Sequence, residues 1–360
     1  MDYTIDYSYN HDQYSVTSGF MFKGRHYRCS LLRFKSPYDR PARGTENVEI
    51  YSFVPKSEVA GSLIMIHGLG SVNIPFLFWM GTHLASAGLR ASLVVLPGNY
   101  TRTADGSVSG KDYFSTDLPN LLRFWQHAVI DVKASIDVLE SRREWSKNNC
   151  IVGYCLGGMV ATLATVLDER ISRTILMTTG GNMARILWES PALKFVRRDF
   201  KQGKGSEGFL NDRERLYRRY DEDLEKCKTM KTVKDLLSSD VHPLLKVDPL
   251  SFARFIPVKK ATVIEALFDK TLPRETRKGF WEALGRPRRY LIPSGHVTWL
   301  PFQYGLAKYI LVSLGVKDTV RRMRLLSKTE FQMPIEDVGK FPEASRERNS
   351  QTSSPSKVDQ

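Results

Sequence analysis

The sequence predicts an α/β fold: a mostly parallel, doubly wound sheet with an inserted helical cap. Two observations predict it. Short apolar runs alternate with longer segments of helical period from about residue 62 to residue 314, the pattern of strands buried on both faces by crossover helices. One stretch, residues 182–247, breaks that alternation with charged helical pieces and no strand pattern.

Taken in order, residues 27–34 and 48–54 read as extended, with Pro37, Pro41 and Gly44 marking a turn between them. Residues 62–66 (SLIMI) form the first buried strand and run into His67-Gly68-Leu69-Gly70. A helix over 76–87 stops at Gly88, and a second strand over 91–96 stops at Pro97-Gly98. Residues 99–120 are polar, with Gly and Ser, and read as a long loop before a helix over 124–140. Residues 150–154 (CIVGY) are the third strand, followed by a small-residue helix over 157–167. Further strands fall at 173–178, 261–267 and 289–293, with helices at 274–284 and 301–314. The expected organisation is N-terminal extended segments over 1–47, core over 48–181, helical cap over 182–247 and core again over 248–315. A C-terminal helix and disordered tail complete it over 316–360. Right-handed crossovers place every parallel strand's C-terminal end on one edge of the sheet, where ligands bind.

Composition narrows the function classes. At 42% hydrophobic and 26% charged residues the chain is of ordinary globular type, not wholly disordered. No apolar run reaches the ~18 residues of a membrane span. The N-terminus lacks the basic and apolar regions of a signal peptide, and four irregularly spaced cysteines make no disulfide framework, so a cytoplasmic location is expected. The net charge of +14 tolerates anionic partners, but the basic residues are spread along the chain and no nucleic-acid partner is expected. His11, His26, His83, His127 and His242 lack ligand spacing, so no metal is expected, and no phosphate-binding glycine loop of the G-x-x-x-x-G-K-[ST] type occurs.

The strongest chemical signal is Gly153-Tyr154-Cys155-Leu156-Gly157-Gly158, where a buried strand turns into a helix. This is the context of the G-x-S-x-G nucleophile elbow, with Cys in place of Ser. A nucleophile on so sharp a turn needs small residues two positions to either side, and Gly153 and Gly157 supply them. A helix N-terminus and a neighbouring histidine both favour a thiolate, and the Leu156 N–H is positioned as an oxyanion donor. A cysteine in such a turn is often only a small buried hydrophobe. Two further residues weigh against that. Asp269 follows the strand at 261–267 and His296 follows the strand at 289–293, so both share a sheet edge with Cys155, in the chain order nucleophile, acid, histidine. Leu69 or Gly70 is expected to give the second oxyanion N–H, with His67 orienting that loop.

With these residues in place, roughly residues 48–315 resemble the α/β-hydrolase superfamily. The Gly-Tyr-Cys-Leu-Gly-Gly box resembles the Cys-nucleophile, dienelactone-hydrolase-like branch. It is also similar to the box of polyhydroxyalkanoate synthases, whose Cys-Asp-His triad polymerises acyl-CoA substrates. Against the synthases, the chain reads Leu96-Pro97-Gly98-Asn99-Tyr100 where they carry a tryptophan-containing segment, and it keeps the His-Gly loop. The expected function is hydrolysis of a carboxylic ester, lactone or thioester by Cys155, His296 and Asp269, without cofactor. The expected partner is a small acyl ester or thioester, neutral or anionic. The alternatives are an acyltransferase of the synthase type and a non-enzymatic binding protein. Residues 270–289 carry Lys270, Arg274, Arg277, Lys278, Arg286, Arg288 and Arg289 against Glu275 and Glu282. A solvated helix face is the expected reading, and attraction of an anionic substrate the alternative.

Overall fold

The computed structural model describes residues 3–11, 14–70, 74–104, 106–111, 113–299 and 302–316. The tail expected beyond residue 316 lies outside them.

Six parallel strands form the centre of the sheet: β4 (Gly61–Ile66), β5 (Leu89–Val94), β6 (Asn149–Tyr154), β7 (Thr174–Met177), β8 (Ala261–Ala266) and β9 (Arg288–Ile292). Three antiparallel strands extend it: β1 (Thr17–Lys23), β2 (Tyr27–Lys35) and β3 (Asn47–Pro55). The order across the sheet is β1-β2-β3-β5-β4-β6-β7-β8-β9. The N-terminal strands are thus continuous with the core sheet. β1 carries no clear strand signal: it sits at the edge, most of its residues are exposed and Gly19 interrupts it, so neither face imposes an alternation. Further in, β2 shows the expected period, with Tyr27 and Cys29 on one face and Leu32 and Phe34 on the other.

Each face of the sheet has its own core. On one side α1 (Ile74–Ser86) and α10 (Gln303–Ser313) bury Leu77, Leu84 and Ile310 against Leu63, Met65 and Val152. On the other, α2 (Leu118–Ser141) and α3 (Leu156–Leu167) bury Leu121, Trp125, Val160 and Leu163 against Ile64, Ile66 and Ile151. Helix α2 starts six residues before the expected residue 124: Leu118, Leu121 and Leu122 already continue its buried face, Asp117 caps it by accepting the Asn120 N–H and Pro119 sits in its first turn. Among the described residues no helix is long and apolar enough to cross a membrane.

Residues 182–247 fold as α4 (Met183–Glu189), α5 (Lys194–Lys201), α6 (Arg213–Cys227) and α7 (Val233–Ser238) with short 3-10 turns between them. Their apolar residues, among them Leu187, Leu216 and Leu236, join the core of the α2/α3 face. Asp248 fastens both ends of this insertion. Its carboxylate accepts the N–H groups of Asn182 and Met183 at the entry and of Leu250 at the exit, and the Tyr220 hydroxyl from α6. Burial pushes the Asp248 carboxyl upward, and these donors oppose that shift.

A second buried network organises the loops leading into α2. Arg102, 1% exposed, donates to the Val95 and Thr45 carbonyls at 2.7 and 2.8 Å and to Asp131 Oδ2 at 2.7 Å. Ser36 Oγ donates to the other Asp131 oxygen at 2.5 Å, and His127 Nε2 lies 3.2 Å from Oδ2. Burial alone would raise the Asp131 carboxyl, but His127 and Arg102 outweigh it and hold it down at about 2.

Replacing Asp131 by Ala leaves Arg102 buried without a counter-charge, and should cost about 3–5 kcal/mol of stability in urea denaturation. A carboxyl depressed in the folded state stabilises fully above its unfolded value near 4 and loses that contribution as pH falls through the folded value. The gap between wild type and Asp131→Ala should therefore hold from neutral pH down to about 4 and narrow as pH approaches about 2.

Candidate active site

Cys155 occupies the turn between β6 and α3, with φ 52° and ψ −116°. A positive φ at a residue bearing Cβ costs about 1–3 kcal/mol, so the surroundings must hold it. The Cys155 N–H donates to the Met177 carbonyl at 3.0 Å. Its own carbonyl accepts from the N–H groups of Gly158 and Met159 and from Thr179 Oγ1 at 2.8 Å. The flanking glycines are required by contact. A Cβ on Gly153 would stand 2.3 Å from the Gly157 oxygen, and one on Gly157 would stand 2.3 Å from the Ile66 oxygen and 2.4 Å from that of His67. Absent side chains therefore let the start of α3 rest directly on the end of β4.

The Asp269 loop and the His296 loop meet Cys155 at this edge. His296 Nδ1 lies 2.8 Å from Asp269 Oδ2, and both side chains are buried. With Nδ1 so engaged, Nε2 is the nitrogen left for the Cys155 side chain, whose charge acts on the ring. Asp269 Oδ1 accepts the N–H groups of Thr271 and Leu272 at 2.8 and 3.2 Å, which fixes the carboxylate plane. Burial disfavours a charged imidazole, but the Cys155 sulfur and the Asp269 carboxylate outweigh it, and the His296 pKa rises to about 10. The Asp269 carboxyl, raised by burial, is brought net below its ordinary value by His296 and the two loop amides.

Several positioning residues have no sequence motif. The Tyr154 hydroxyl, one residue before Cys155, donates to the His296 carbonyl and so ties the elbow to the histidine loop. The Tyr154 ring lies against both His296 and Trp299, with centroids 5.5 and 5.3 Å away. Arg277 on α9 (Arg274–Ala283) is buried and reaches the carbonyls of Leu272, Ala266 and Asp269 at 3.2, 3.4 and 3.4 Å. Glu265 on β8 neutralises Arg277 and also Arg289. The basic run 270–289 is therefore not a uniform solvated face: Arg277 is buried and braces the Asp269 loop, and part-exposed Arg289 pairs with Glu265 behind it.

The opposite wall is the His67-Gly68-Leu69-Gly70 loop. The backbone N–H of Leu96 donates to His67 Nε2 at 2.9 Å, so the proton sits on Nδ1 and donates to the Gly68 carbonyl at 2.6 Å. Burial lowers the His67 pKa to about 4, which keeps the ring neutral in this orienting role. Of the two loop amides expected to serve an oxyanion, Gly70 is otherwise engaged. Its N–H donates to Asn99 Oδ1 at 2.7 Å, and Asn99, buried, is itself anchored to the Pro97 carbonyl. That leaves Leu69 on this wall, opposite Leu156, whose N–H has no intrahelical acceptor as the first residue of α3.

Two outcomes follow from this geometry. In Tyr154→Phe, which removes only the hydroxyl, turnover should fall about tenfold with KM little changed, and Tm should drop by a few degrees for the loss of about 1 kcal/mol from one buried hydrogen bond. By NMR titration, the His296 imidazole should lose its proton near pH 10 in the wild type and at distinctly lower pH in Cys155→Ala and in Asp269→Asn, because each removes one of the charges that favour the imidazolium.

Residues 48–181, the segment that carries the His-Gly loop and the elbow, match the dienelactone hydrolase family. No curated protein sequence matches the chain. Among solved structures, acetyl xylan esterase from Paenibacillus sp. R4 is similar over 84% of this chain and 89% of its own, at 16% identity and a TM-score of 0.59. Acetyl xylan esterase 1 from Thermoanaerobacterium sp. JW/SL YS485 is similar over 85% and 89%, at 14% identity and a TM-score of 0.58. The acylaminoacyl peptidase of Pyrococcus horikoshii shares the fold over 87% of this chain and 44% of its own, at 14% identity and a TM-score of 0.50. At such identities the structural likeness is one of fold, while the family match covers the segment bearing the elbow. The chain has the fold of these α/β-hydrolase structures, and its residues 48–181 match the dienelactone hydrolase family.

Proposed function

We propose that the chain cleaves a carboxylic ester, lactone or thioester through a Cys155-His296-Asp269 triad, with the Leu156 and Leu69 N–H groups as the oxyanion hole. One observation carries the reading: a half-buried thiol on a strained turn, electrostatically coupled to an imidazole whose Nδ1 is held 2.8 Å from a buried carboxylate. A purely structural cysteine needs neither the strain nor the pair.

The sulfur attacks the substrate carbonyl carbon, and the electron pair of the C=O bond moves to oxygen, where the two N–H groups meet the negative charge. Collapse of this intermediate breaks the bond to the leaving alkoxide or thiolate, which takes the proton from His296 Nε2 and leaves an acyl–Cys155 thioester. His296, now neutral, removes a proton from water as it attacks the thioester. The second tetrahedral intermediate collapses to the free acid, and the thiolate–imidazolium pair is restored. Asp269 keeps the imidazole in one tautomer and balances its charge throughout.

Residues 182–247 act in this reading as a cap that selects the acyl or alcohol part. Its support is that they are bonded to two loops of the catalytic edge: Ser190 Oγ donates to the Thr271 carbonyl at 2.8 Å, and Ser206 exchanges bonds with Thr116 and Leu118 at 3.0 and 2.9 Å. Exposed Lys270, Arg274 and Lys278 beside the Asp269 loop favour an anionic substrate. A reducing, cytoplasmic setting suits a nucleophile that must stay a free thiol; all four cysteines are unpaired.

The test is a panel of acyl esters, lactones and thioesters, with folding checked by thermal melting. Cys155→Ala should abolish turnover, and Cys155→Ser should retain little or none, since serine depends wholly on His296 for activation. Asp269→Asn should lose about 10⁴-fold in kcat. Rapid quenching should trap an acyl adduct on Cys155 by mass spectrometry. A folded Cys155→Ala protein with near wild-type turnover places the chemistry elsewhere.

A further inference from the structure

The edge of the sheet opposite the catalytic one holds a recess of about 460 Å³ at the first residues of β7, β8 and β9. Arg173, Lys259, Lys260 and Arg288 line it, together with the hydroxyls of Thr262 and Tyr309, and no Asp or Glu is among its lining residues. None of the four cations forms an ion pair with a described carboxylate. Arg173 donates to the Asn148 side-chain oxygen at 3.2 Å and Lys260 to the Ile171 carbonyl at 3.1 Å, both neutral acceptors. This contrasts with Arg277 and Arg289, which Glu265 neutralises.

A structural explanation for cations at this edge is compensation of helix C-termini, which point this way in a parallel α/β fold. Its size can be judged. Helix α10 ends at Ser313 on the wall of the recess, and α9 ends beside Val258, another lining residue. Each C-terminus carries about half a negative charge, so two offset about one of the four positive charges. Roughly three remain uncompensated around one concavity.

We propose that this recess binds a small phosphate-bearing organic molecule. Residual charge of that size matches a di- or trianionic group, whereas a single carboxylate would leave most of it unbalanced. Arg173 and Arg288 offer forked donors suited to phosphate oxygens. The volume is that of a small-molecule site rather than an extended nucleic-acid track. Val258, Ile175 and the Tyr309 ring give the organic part an apolar surface. The site is distinct from the triad: Asp269 leaves the far end of β8, about 20 Å away for a strand of this length.

The experiment uses the full chain at fixed ionic strength, with isothermal titration calorimetry of pyrophosphate, AMP and, as the uncharged control, adenosine. Pyrophosphate and AMP should bind saturably at one site per chain, and adenosine should not. The Lys259→Ala/Arg288→Ala double variant, whose exposed side chains lie outside the catalytic machinery, should weaken both at least tenfold while leaving turnover and Tm unchanged. The proposal is overturned if neither anion saturates, or if the double variant binds within twofold of wild type. It is equally overturned if oligouridylate displaces AMP with an affinity that climbs with oligomer length, which would mark an open polyanion surface.

Discussion

The close approach of the β6–α3 turn to the end of β4 is the constraint on which the rest of the site depends. Gly157 touches the carbonyls of Ile66 and His67 where any side chain would collide, so the start of α3 and the His-Gly loop are locked to one another. That contact sets the His-Gly loop and the start of α3 at a fixed separation. It also holds Cys155 at a positive φ that the chain would not adopt unaided. The turn is further pinned from β7, through the Met177 carbonyl and Thr179 Oγ1, so three adjacent strands share in maintaining it.

Around this turn, each loop at the catalytic edge is fastened by a buried polar or charged group. The His-Gly loop is held by His67 and Asn99, the loop after β5 by Arg102 and Asp131, the base of the insertion by Asp248, and the Asp269 loop by Arg277 with Glu265 behind it. Burying these groups is costly unless every one is paired. Here the pairing partners are the loop backbones themselves, so desolvation and loop geometry are solved together. A loop held by apolar packing alone could slide; one held by a buried carboxylate accepting two amides has a single register.

Charge is divided between the two edges of the sheet. Beside the Asp269 loop the buried Arg277 is paired internally with Glu265, and the His296 imidazole draws its stabilisation from Cys155 and Asp269. At the far edge the cations face an open recess with no lining carboxylate. One basic composition thus serves as internal bracing at one end of the strands and leaves an unbalanced field at the other.

The sequence by itself determined the alternating core, the elbow and the order of Cys155, Asp269 and His296. These signals are local: an apolar run, a glycine spacing of two and a position just past a strand end all follow from rules that act over a few residues. Tertiary structure alone decided the rest. β1 became a strand because β2 offered it an edge, although its own residues are mostly exposed. Gly70 lost its free amide to Asn99, 29 residues on, and Tyr154 acquired its role from a carbonyl 142 residues away. Arg277, indistinguishable by spacing from its solvent-facing neighbours, was drawn inward by Glu265, which also pairs with part-exposed Arg289. A hydrogen bond or ion pair between distant segments leaves no periodic trace in either one, because what selects the residue is the partner that folding brings to it.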